Sequence, residues 1–468
     1  MENKNFVVIG VGPHFKRNYV PFFKKNELSP SLVVELKSKE SETREYINKL
    51  FGNVDFLFLD DEYKDDLELP QLFKNKLNVA INRHNIAYAF IVTEAKSHYA
   101  YSIFFLDNNI NTLTEKPITA PKNIRSIDDI EWIKKSYDNL MEHHSKYKAS
   151  LSVMCQRNYH TGYNFILSQL KDVVRRYNVP VTSINIDHCD GNWILPHDLF
   201  YENHPYKYGY GKLFHSGYHF IDLLATIIKI NTELDDSKKP YKMMTCSLSQ
   251  DFDDMNSIIN TEDYRRIFNQ DIKNDDINLK YFGEMNTASL HGIYSKENKL
   301  ITMAQMNINQ LGFSRRGWYE TNPDHYKGNG RVRHEHINIQ VGPLMNIVVN
   351  SYQSKQSKDR SSNEVDAGGL DHFDIHIFRN TDIIGGKANS LIRSSDLLET
   401  ENMGLNEEAR EKCFADFLQT GKGLVTDLEH HALGIQILYT LTKQRYIQAH
   451  NCDDNKTKDI VNISKMLK

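Results

Sequence analysis

Two sets of polar residues in the chain have types and spacings that could do chemistry. The first lies in the run from Ile91 to Pro117, where an apolar strand ends at Thr93, a helix-like segment begins near His98 and a second strand leads into Glu115-Lys116-Pro117. This strand–helix–strand order predicts that Lys116 lies at the carboxyl edge of a parallel sheet, where open α/β folds bind their ligands. A lysine in that position can donate a hydrogen bond to a reacting oxygen and offset developing negative charge.

The second set lies in the run from Gly209 to Ile227, which reads GYGKLFHSGYHFIDLLATI. The glycines predict a turn that leads into a helix. On a helix, His215, His219 and Asp222 recur at spacings of four and three and therefore share one face. Histidine exchanges protons near neutral pH, so this face could carry a general acid or base.

The amino terminus has the pattern of a nucleotide-binding turn. The apolar run from Asn5 to Val11 is closed by Gly10 and Gly12, and a helix is predicted from Pro13. Glycines at these positions allow a tight turn and a close approach of the backbone to a pyrophosphate, which then lies at the helix amino terminus.

The strand that follows supplies an acidic residue at a suitable distance. Glu35, near the end of the predicted strand Leu32 to Leu36, comes 23 residues after Gly12, close to the spacing expected of a carboxylate that binds a ribose diol. Such a carboxylate repels a 2′-phosphate and favours NAD, whereas Lys37 keeps NADP open as the minority option. Phe15 stands where the fingerprint has its third glycine or alanine, which predicts a looser helix–strand contact.

The run from Thr93 to Pro117 resembles the Gfo/Idh/MocA family of sugar and polyol oxidoreductases, whose pattern there is T…H…EKP. The predicted helix is similar to the family's D-x-G-x-H-x-x-D, which Gly217, His219 and Asp222 match. The resemblance implies an NAD(P)-dependent dehydrogenase or reductase that acts on CH–OH groups. The residues expected to bind the cofactor are Gly10, Gly12, Pro13, Glu35, Thr93, His98, Glu115 and Lys116.

The same resemblance implies roles for the catalytic residues. His219 is expected to be the general acid/base, and Lys116 the group that polarises the substrate oxygen. His215 stands where the family has the aspartate that orients the histidine, and a second imidazole cannot support its charge in the same way. We therefore treat His215 as a supporting residue and expect the proton-transfer step to differ from the family pattern.

Three residues are expected to bind the substrate. Arg157 lies in Gln156 to Tyr159, which resembles the arginine-containing segment at the start of the family's substrate domain. Tyr210 belongs to an aromatic, loop-like segment, and Asp222 lies on the predicted catalytic helix. Rings with polar tips suit stacking on a sugar and bonding to its hydroxyls, although the same rings could simply hold a loop to the surface. The other aromatic residues of the segment are Trp193, Phe200, Tyr206 and Tyr208.

The predicted fold class is α/β, with an amino-terminal Rossmann domain of doubly wound parallel sheet followed by an α+β domain. Short alternating runs between Tyr241 and Lys387 predict a large open, mainly antiparallel sheet in the second domain. We place the nucleotide domain at residues 1–148, the substrate-binding and oligomerisation domain at 149–450 and a charged tail at 451–468. The polar stretch Asp251 to Leu279 is a predicted insertion. A long helix is predicted within Glu401 to His450, with helical spacing of Leu424, Leu428, Leu433 and Ile437.

Composition excludes several classes of protein. The formal net charge of −4 and the scattered lysines and arginines show no basic stripe, so no nucleic-acid partner is expected. The apolar runs are shorter than the ~20 residues of a membrane span, and a strand that begins by Phe6 leaves no room for a signal peptide. Five widely spaced cysteines without a Cys-x-x-Cys pattern predict a reduced, cytoplasmic protein.

Two further groups of residues allow more than one interpretation. His334 with His336, and His372 with His376, alternate on predicted strands and could meet at a metal, but sheet histidines or substrate contacts are favoured, so no metal is predicted. The basic runs Arg315 to Tyr319 and Tyr326 to Arg333 could reach an anionic substrate or could be solvated loops, which is the favoured interpretation.

Three functions remain as hypotheses. The leading one is an NAD(P)-dependent oxidoreductase for a secondary alcohol or ketone of a sugar, cyclitol or sugar derivative. The alternatives, both implied by the resemblance, are a redox-neutral glycoside hydrolase that uses NAD and a non-catalytic sugar- or nucleotide-sensing protein. The partners expected are a small sugar-like substrate and further copies of the chain, in a homodimer or homotetramer formed through the sheet of the second domain.

Overall fold

A computed structural model describes residues 4–191, 199, 205–268, 282–310, 329–356, 371–398, 404–450 and 458–467. The chain divides into two compact units. The first comprises residues 1–122, 128–159 and 406–435, and the second comprises residues 123–127, 160–405 and 436–468. Segment 406–435, which the predicted domain boundaries place in the second domain, thus groups with the first unit.

Fifteen strands and thirteen helices are present in the described residues. The strands are β1 Phe6–Ile9, β2 Leu32–Leu36, β3 Asp55–Leu59, β4 Tyr88–Ile91, β5 Asn111–Glu115, β6 Leu151–Met154, β7 Val181–Cys189, β8 Pro240–Gln250, β9 Asn286–Ser295, β10 Leu300–Asn309, β11 Asn329–Val341, β12 Met345–Gln356, β13 Asp371–Arg379, β14 Asn389–Ile392 and β15 Asp459–Asn462. The helices are α1 Pro13–Lys25, α2 Glu40–Phe51, α3 Gln71–His84, α4 Ala95–Asp107, α5 Ile127–Lys146, α6 Thr161–Tyr177, α7 Tyr218–Ile230, α8 Phe252–Ile258, α9 Thr261–Phe268, α10 Thr381–Ile384, α11 Ser394–Leu397, α12 Leu405–Thr420 and α13 Ala432–Ala449.

The first unit is built on a six-stranded parallel sheet. Its strand order is β3-β2-β1-β4-β5-β6, the order of a doubly wound nucleotide-binding fold. Side chains alternate along each strand, so β1 sends Phe6 and Val8 to one apolar core and Val7 and Ile9 to another. α1 and α12 contribute to the first core and α3 and α4 to the second, which buries both faces of the sheet. The predicted Rossmann fold is confirmed.

The segment after residue 404 returns to this sheet. Phe414 of α12 packs on Tyr19 and Phe22 of α1, with ring centroids 4.6 and 4.8 Å apart. The long helix predicted within Glu401 to His450 is present as α13, which begins at Ala432 and includes Leu433 and Ile437, but Leu424 and Leu428 lie before it and α12 ends at Thr420. Gly421, with φ of +80°, interrupts the helical pattern, and Leu424 lies exposed in the connection rather than on a buried helical face.

The second unit is built on a nine-stranded sheet of order β14-β13-β12-β11-β7-β10-β9-β8-β15. Its pairs are antiparallel except for β7 with β10, which confirms the predicted mainly antiparallel sheet. One face packs against α6 and α7, where Phe220 stacks on His188 at 4.1 Å and Tyr163 donates to Glu335. β15 lies in the predicted charged tail, so part of that tail forms an edge strand. The described part of the predicted insertion forms α8 and α9.

The other face of the nine-stranded sheet carries exposed apolar side chains. They are Leu248, Leu290, Leu300, Met303 and Ile460, from four of the strands at one end of the sheet.

Among the described helices, none has the length and the apolar composition that a membrane span needs.

His291 gives the second unit a pH-dependent stability. Its ring is buried on β9, with Nδ1 2.9 Å from the Thr245 hydroxyl and Nε2 3.0 Å from the Ser289 hydroxyl. Burial lowers the pKa of His291 to about 4, below the value of about 6.5 in an unfolded chain. Between these values the unfolded chain binds more protons, so stability is complete above pH ~6.5 and is lost as pH falls towards 4.

We therefore expect His291→Gln to reduce the acid sensitivity of folding, because glutamine keeps a hydrogen-bonding group but does not titrate. The histidine contribution lost between pH 7 and pH 5 is about 2 kcal/mol. The measurement is the urea midpoint at both pH values for the natural chain and the variant. Equal losses in the two proteins would show that His291 does not titrate as described.

Candidate functional site

The glycine turn of the first unit joins β1 to α1. Gly10 has φ of +91°, and a Cβ atom there would lie 3.0 Å from the Val92 carbonyl oxygen, so the backbone requires glycine. Gly12 is the N-cap of α1 and Pro13 its first residue. Within the described residues, nothing lies within 4 Å of a Cβ built on Gly12, and no side chain caps the helix. The first N–H groups of α1 are therefore available to an anion.

The Glu35 carboxylate closes the turn on its other side. One of its oxygens accepts the Val11 N–H and the other the Leu36 N–H, both at 2.7 Å, and Lys39 Nζ lies 3.9 Å away. Open space at Gly12, uncapped N–H groups and an acidic residue beside the turn fit a dinucleotide with a pyrophosphate and a free ribose diol.

Phe15 shows why the third glycine can be absent. Its ring is fully buried, 5.9 Å from the Tyr19 ring and 6.1 Å from the Phe23 ring. An aromatic cluster thus fills the space between α1 and the sheet, and the looser helix–strand contact stays a prediction.

Lys116 follows β5 at the carboxyl edge of the parallel sheet, as the sequence predicts, and precedes Pro117 in a cis peptide bond. Its side chain is half-buried, and among the described residues its ammonium has no hydrogen-bond or ion-pair partner. His98 is buried on α4, with Nδ1 2.8 Å from the Pro117 carbonyl and Nε2 3.1 Å from the Thr93 carbonyl. His98 therefore holds the protein backbone, and cofactor contacts by His98 and Thr93 stay predictions.

Glu115 is buried and ionised. Burial alone would raise the pKa of this carboxyl, but the His14 ring, the Lys116 ammonium and the Tyr19 hydroxyl lower it to about 2. The first unit thus carries an anion directly before Lys116. Arg157, in a short 3₁₀ turn after β6, is also buried in this unit.

In the second unit, α7 begins at Tyr218 and carries His219 in its first turn. His219 and Asp222 are both buried, with exposed fractions of 6% and 1%. Gly217 precedes the helix, and a Cβ atom there would lie 2.6 Å from the Lys212 carbonyl oxygen.

His215 does not share the helical face of His219 and Asp222, so that part of the prediction is wrong. Residues 212–214 form a 3₁₀ turn, and His215 has φ of −99° and ψ of −122°, outside the helical region. The Gly217 N–H bonds to the Lys212 carbonyl at 3.1 Å, which closes the turn before the helix starts. The His215 ring stacks on Tyr206 at 5.5 Å.

Sequence reasoning missed Lys212, which lies in the turn that positions these histidines. Its side chain is fully buried, its Nζ is 2.9 Å from the Asp190 carboxylate, and it also contacts the Ser216 hydroxyl. Arg333 bonds to the other oxygen of Asp190 at 2.9 Å. In the sequence, Lys212 is the charged residue of the uncharged run GYG-LF, but its partner Asp190 lies 22 positions earlier and no local pattern pairs the two residues.

Glu284 holds the same turn from another side. Its backbone carbonyl accepts the Lys212 N–H at 2.9 Å, and its carboxylate accepts the Leu213 N–H at 2.8 Å. The carboxylate also lies 3.3 Å from Arg445 of α13. Tyr210, at the start of this segment, is 1% exposed and packs on Phe214 at 5.3 Å, so its role in substrate binding stays a prediction.

The histidine-rich strands do not converge within the described part of the chain. β12 separates them, and its register places Tyr352 opposite both His334 and His372, with ring centroids 6.3 and 4.8 Å away. His372 bonds instead to Asp374 at 2.6 Å. Across the described ranges, no three His, Cys, Asp or Glu side chains form a metal-binding group.

Several residues predicted as possible substrate contacts lie outside the described part of the chain or in a different element. Trp193, Phe200 and the run Arg315 to Tyr319 lie outside the described residues. Of the basic run Tyr326 to Arg333, the described part belongs to β11 and is not the predicted loop, because it pairs with β12.

Comparison with known proteins gives a family match over the amino-terminal part of the chain. Residues 4–144 match the sequence model of the Gfo/Idh/MocA oxidoreductase family, described as having an NAD-binding Rossmann fold. This match confirms the resemblance to the Gfo/Idh/MocA family that the sequence motifs predict, and it confirms NAD as the cofactor described for that family. No curated protein matches the chain in sequence.

Solved structures share the fold over nearly the whole chain. An oxidoreductase from Agrobacterium radiobacter, solved with NAD+, L-tartaric acid and magnesium, is 12% identical with a TM-score of 0.55, and 99% of each chain is covered. The aldose-aldose oxidoreductase from Caulobacter crescentus, solved with glycerol, is 10% identical with a TM-score of 0.55, covering 98% of this chain and 100% of the other. The WlbA dehydrogenase from Bordetella pertussis, solved with NADH and UDP-GlcNAcA, is 10% identical with a TM-score of 0.53, covering 98% and 99%.

The two glycines of the turn provide a test of the nucleotide site. Gly12→Ala adds a methyl group where the protein leaves space, so we expect a melting temperature within about 2 °C of the natural chain but NAD affinity reduced roughly tenfold or more. Gly10→Ala is the contrasting control, because its positive φ should cost about 1–3 kcal/mol of stability. Thermal unfolding and calorimetric NAD titration measure both effects. NAD binding by Gly12→Ala as tight as that of the natural chain would contradict this site.

Proposed function

We propose that the protein is an NAD-dependent oxidoreductase that transfers a hydride between nicotinamide and a secondary alcohol or ketone of a sugar, cyclitol or sugar derivative. The observation that carries the proposal is the first unit, in which the glycine turn, Glu35 and Lys116 lie at the same edge of a parallel sheet, and Lys116 has no hydrogen-bond or ion-pair partner among the residues that the structure describes. When bound, the nicotinamide accepts or supplies the hydride.

The pyrophosphate would be held by Gly10, Gly12 and Pro13, and the adenosine ribose would be held by Glu35.

The charges after β2 favour NAD over NADP. Lys37 is paired with Glu40 at 2.5 Å and Lys39 lies 3.9 Å from Glu35, so neither lysine is left to balance a 2′-phosphate against the Glu35 carboxylate. Thr93, His98 and Glu115 complete the proposed cofactor contacts.

Lys116 and His219 are the proposed catalytic residues. During alcohol oxidation His219 takes the hydroxyl proton, and in the reverse direction it returns that proton to the carbonyl oxygen. Lys116 donates a hydrogen bond to the same oxygen and offsets its negative charge.

His215 is a supporting residue in this scheme. It lies in the turn before α7, without the carboxylate that the family pattern has at this position. Its imidazole can accept or donate a hydrogen bond but supplies no fixed negative charge. His219 therefore exchanges its proton without a charged partner at position 215.

The proposed substrate class rests on the kinds of molecule that similar structures hold. The Caulobacter protein is an aldose-aldose oxidoreductase, and the Bordetella protein was solved with a nucleotide sugar. Arg157, Tyr210 and Asp222 are proposed to contribute to binding of a polyhydroxylated substrate.

We expect Lys116→Ala and His219→Ala each to lower kcat/KM by about 100-fold or more, because each removes a group that acts on the reacting oxygen. NADH formation over a panel of sugars and polyols measures the rate, and calorimetry checks that both variants still bind NAD. Lys122→Ala and His143→Ala, which replace residues in exposed ion pairs, are matched controls.

Full activity in either catalytic variant would refute that residue's role. Cleavage of a glycoside without net NADH would establish the redox-neutral alternative, and NAD binding without turnover on any substrate would favour a sensing protein.

We also propose that the protein assembles through the open face of the nine-stranded sheet. The exposed apolar residues at the β8–β10 end of the sheet are more typical of an interface than of a solvated surface. We expect Leu290→Lys, in the middle of this patch, to reduce the mass measured by sedimentation velocity. Val79→Lys on α3 of the first unit replaces a comparably exposed residue and should leave the mass unchanged. An unchanged mass in both variants would exclude this patch as the interface.

A cytoplasmic location is proposed from the cysteines. Cys155, Cys189, Cys246 and Cys413 are free thiols, and three of these four are buried. Unpaired thiols of this kind are typical of proteins kept in a reducing compartment.

A further inference from the structure

Glu115 receives two hydrogen bonds from the helix that follows the glycine turn. His14 Nε2 lies 2.9 Å from Oε1, and the Tyr19 hydroxyl donates to the same oxygen at 2.7 Å. Both residues belong to α1, whereas Glu115 is the last residue of β5. These bonds therefore connect the helix at the nucleotide turn directly to the residue before Lys116.

The bonds of the His14 ring fix its orientation. An ionised carboxylate only accepts hydrogen bonds, so Nε2 must carry a proton and donate it. Nδ1 lies 3.1 Å from the amide nitrogen of Asn18, which is a donor, so Nδ1 accepts. Both ring nitrogens are thus engaged, although the side chain remains 42% exposed.

The residue after Lys116 is anchored as well. Burial lowers the pKa of His98, so its ring is neutral at pH 7 and has one N–H to donate. The shorter contact assigns that bond to the Pro117 carbonyl, at 2.8 Å. Side chains from α1 therefore hold Glu115, and His98 of α4 holds Pro117, so both neighbours of Lys116 are fixed in place. The Lys116 side chain itself is left to act on other groups.

We propose that His14 is a positioning residue, which holds Glu115 through its Nε2–H and thereby fixes the backbone and the side-chain direction of Lys116. The proposal rests on the proposed function of Lys116, because a fixed ammonium matters only if that ammonium acts in the reaction. A positioned hydrogen-bond donor is effective because no reorganisation is needed when charge develops.

His14 and Tyr19 differ in what else they do. The Tyr19 ring is fully buried and contacts Phe15, Phe23, Phe90 and Phe414, so it also builds the core. His14 is half-exposed, and its ring contacts are with Tyr19, Asn18 and Glu115. Replacing His14 should therefore disturb Lys116 with little loss of global stability.

The experiment measures the reactivity of Lys116 without any turnover. The full-length protein is acetylated by isotopically labelled acetic anhydride at pH 8, and the rate at Lys116 is read by peptide mass spectrometry relative to the exposed Lys76 of α3. His14→Leu removes the donor, whereas His14→Gln keeps an N–H that can reach the carboxylate. Tyr19→Phe removes the second hydrogen bond and leaves its ring in the core, which provides a variant that folds if either His14 variant does not.

We expect His14→Leu to accelerate labelling of Lys116 by about threefold or more through local loosening, and His14→Gln to restore the natural rate. Tyr19→Phe should have an effect in the same direction, and the double variant should fall short of the product of the two, because both bonds end on one oxygen. In turnover, His14→Leu should lower kcat more than it changes KM.

Two outcomes would overturn the proposal. One is an unchanged Lys116 labelling rate in a folded His14→Leu protein or, if neither His14 variant folds, in Tyr19→Phe. The other is a changed rate that His14→Gln does not restore, which would show a packing effect of the ring. Failure of the proposed function has a different signature, namely full activity of Lys116→Ala while the labelling rates still respond to His14.

Discussion

The hydrogen bond from the Val11 N–H to the Glu35 carboxylate is the interaction on which the nucleotide site depends. At 2.7 Å it ties the glycine turn after β1 to the end of β2. Neighbouring parallel strands end at one edge of a sheet, so this bond, together with the bond from the Gly10 N–H to the Val34 carbonyl at 2.9 Å, holds the carboxylate beside the first turn of α1, where an anion can bind. Gly10 makes the bond possible by turning the chain with a positive φ.

The same edge continues through β4 and β5 to Lys116. His98 donates to the Pro117 carbonyl after β5 and lies 3.1 Å from the Thr93 carbonyl after β4, and Glu115 accepts from His14 of α1, so the loops along this edge restrain one another. The Glu115 carboxylate is a buried charge, and its burial costs desolvation free energy. It lies directly before Lys116, whose side chain must be held in one direction. In the second unit, Lys212 with Asp190 and Glu284 with Arg445 hold the turn before α7 in a similar way.

Much of the fold could be predicted because its signals are local. The glycine turn, the six parallel strands and the alternating runs of the second sheet follow from hydrophobic period and turn residues. The EKP run was predicted at the correct edge for the same reason. The prediction that His215 shares a helical face with His219 is wrong, because a 3₁₀ turn closed by the Gly217 N–H breaks the helical spacing before α7 begins. The predicted helical spacing of Leu424 and Leu428 also fails, because α13 begins only at Ala432.

The contacts that hold the site are long-range and could not be read from spacing. His14 and Glu115 are separated by 101 positions, and Leu213 and Glu284 by 71. The sequence contains each residue type, but only the register of strands and the packing of α1 bring them together. Phe15 is the clearest example, since its aromatic cluster replaces the glycine that a local fingerprint expects.

The most direct test of this account is a calorimetric titration of the natural chain with NAD and with NADP. The account predicts one NAD bound per chain and NADP affinity weaker by at least about tenfold, because the Glu35 carboxylate opposes the 2′-phosphate and the nearby lysines are already paired. Absence of NAD binding, or a preference for NADP, would contradict it.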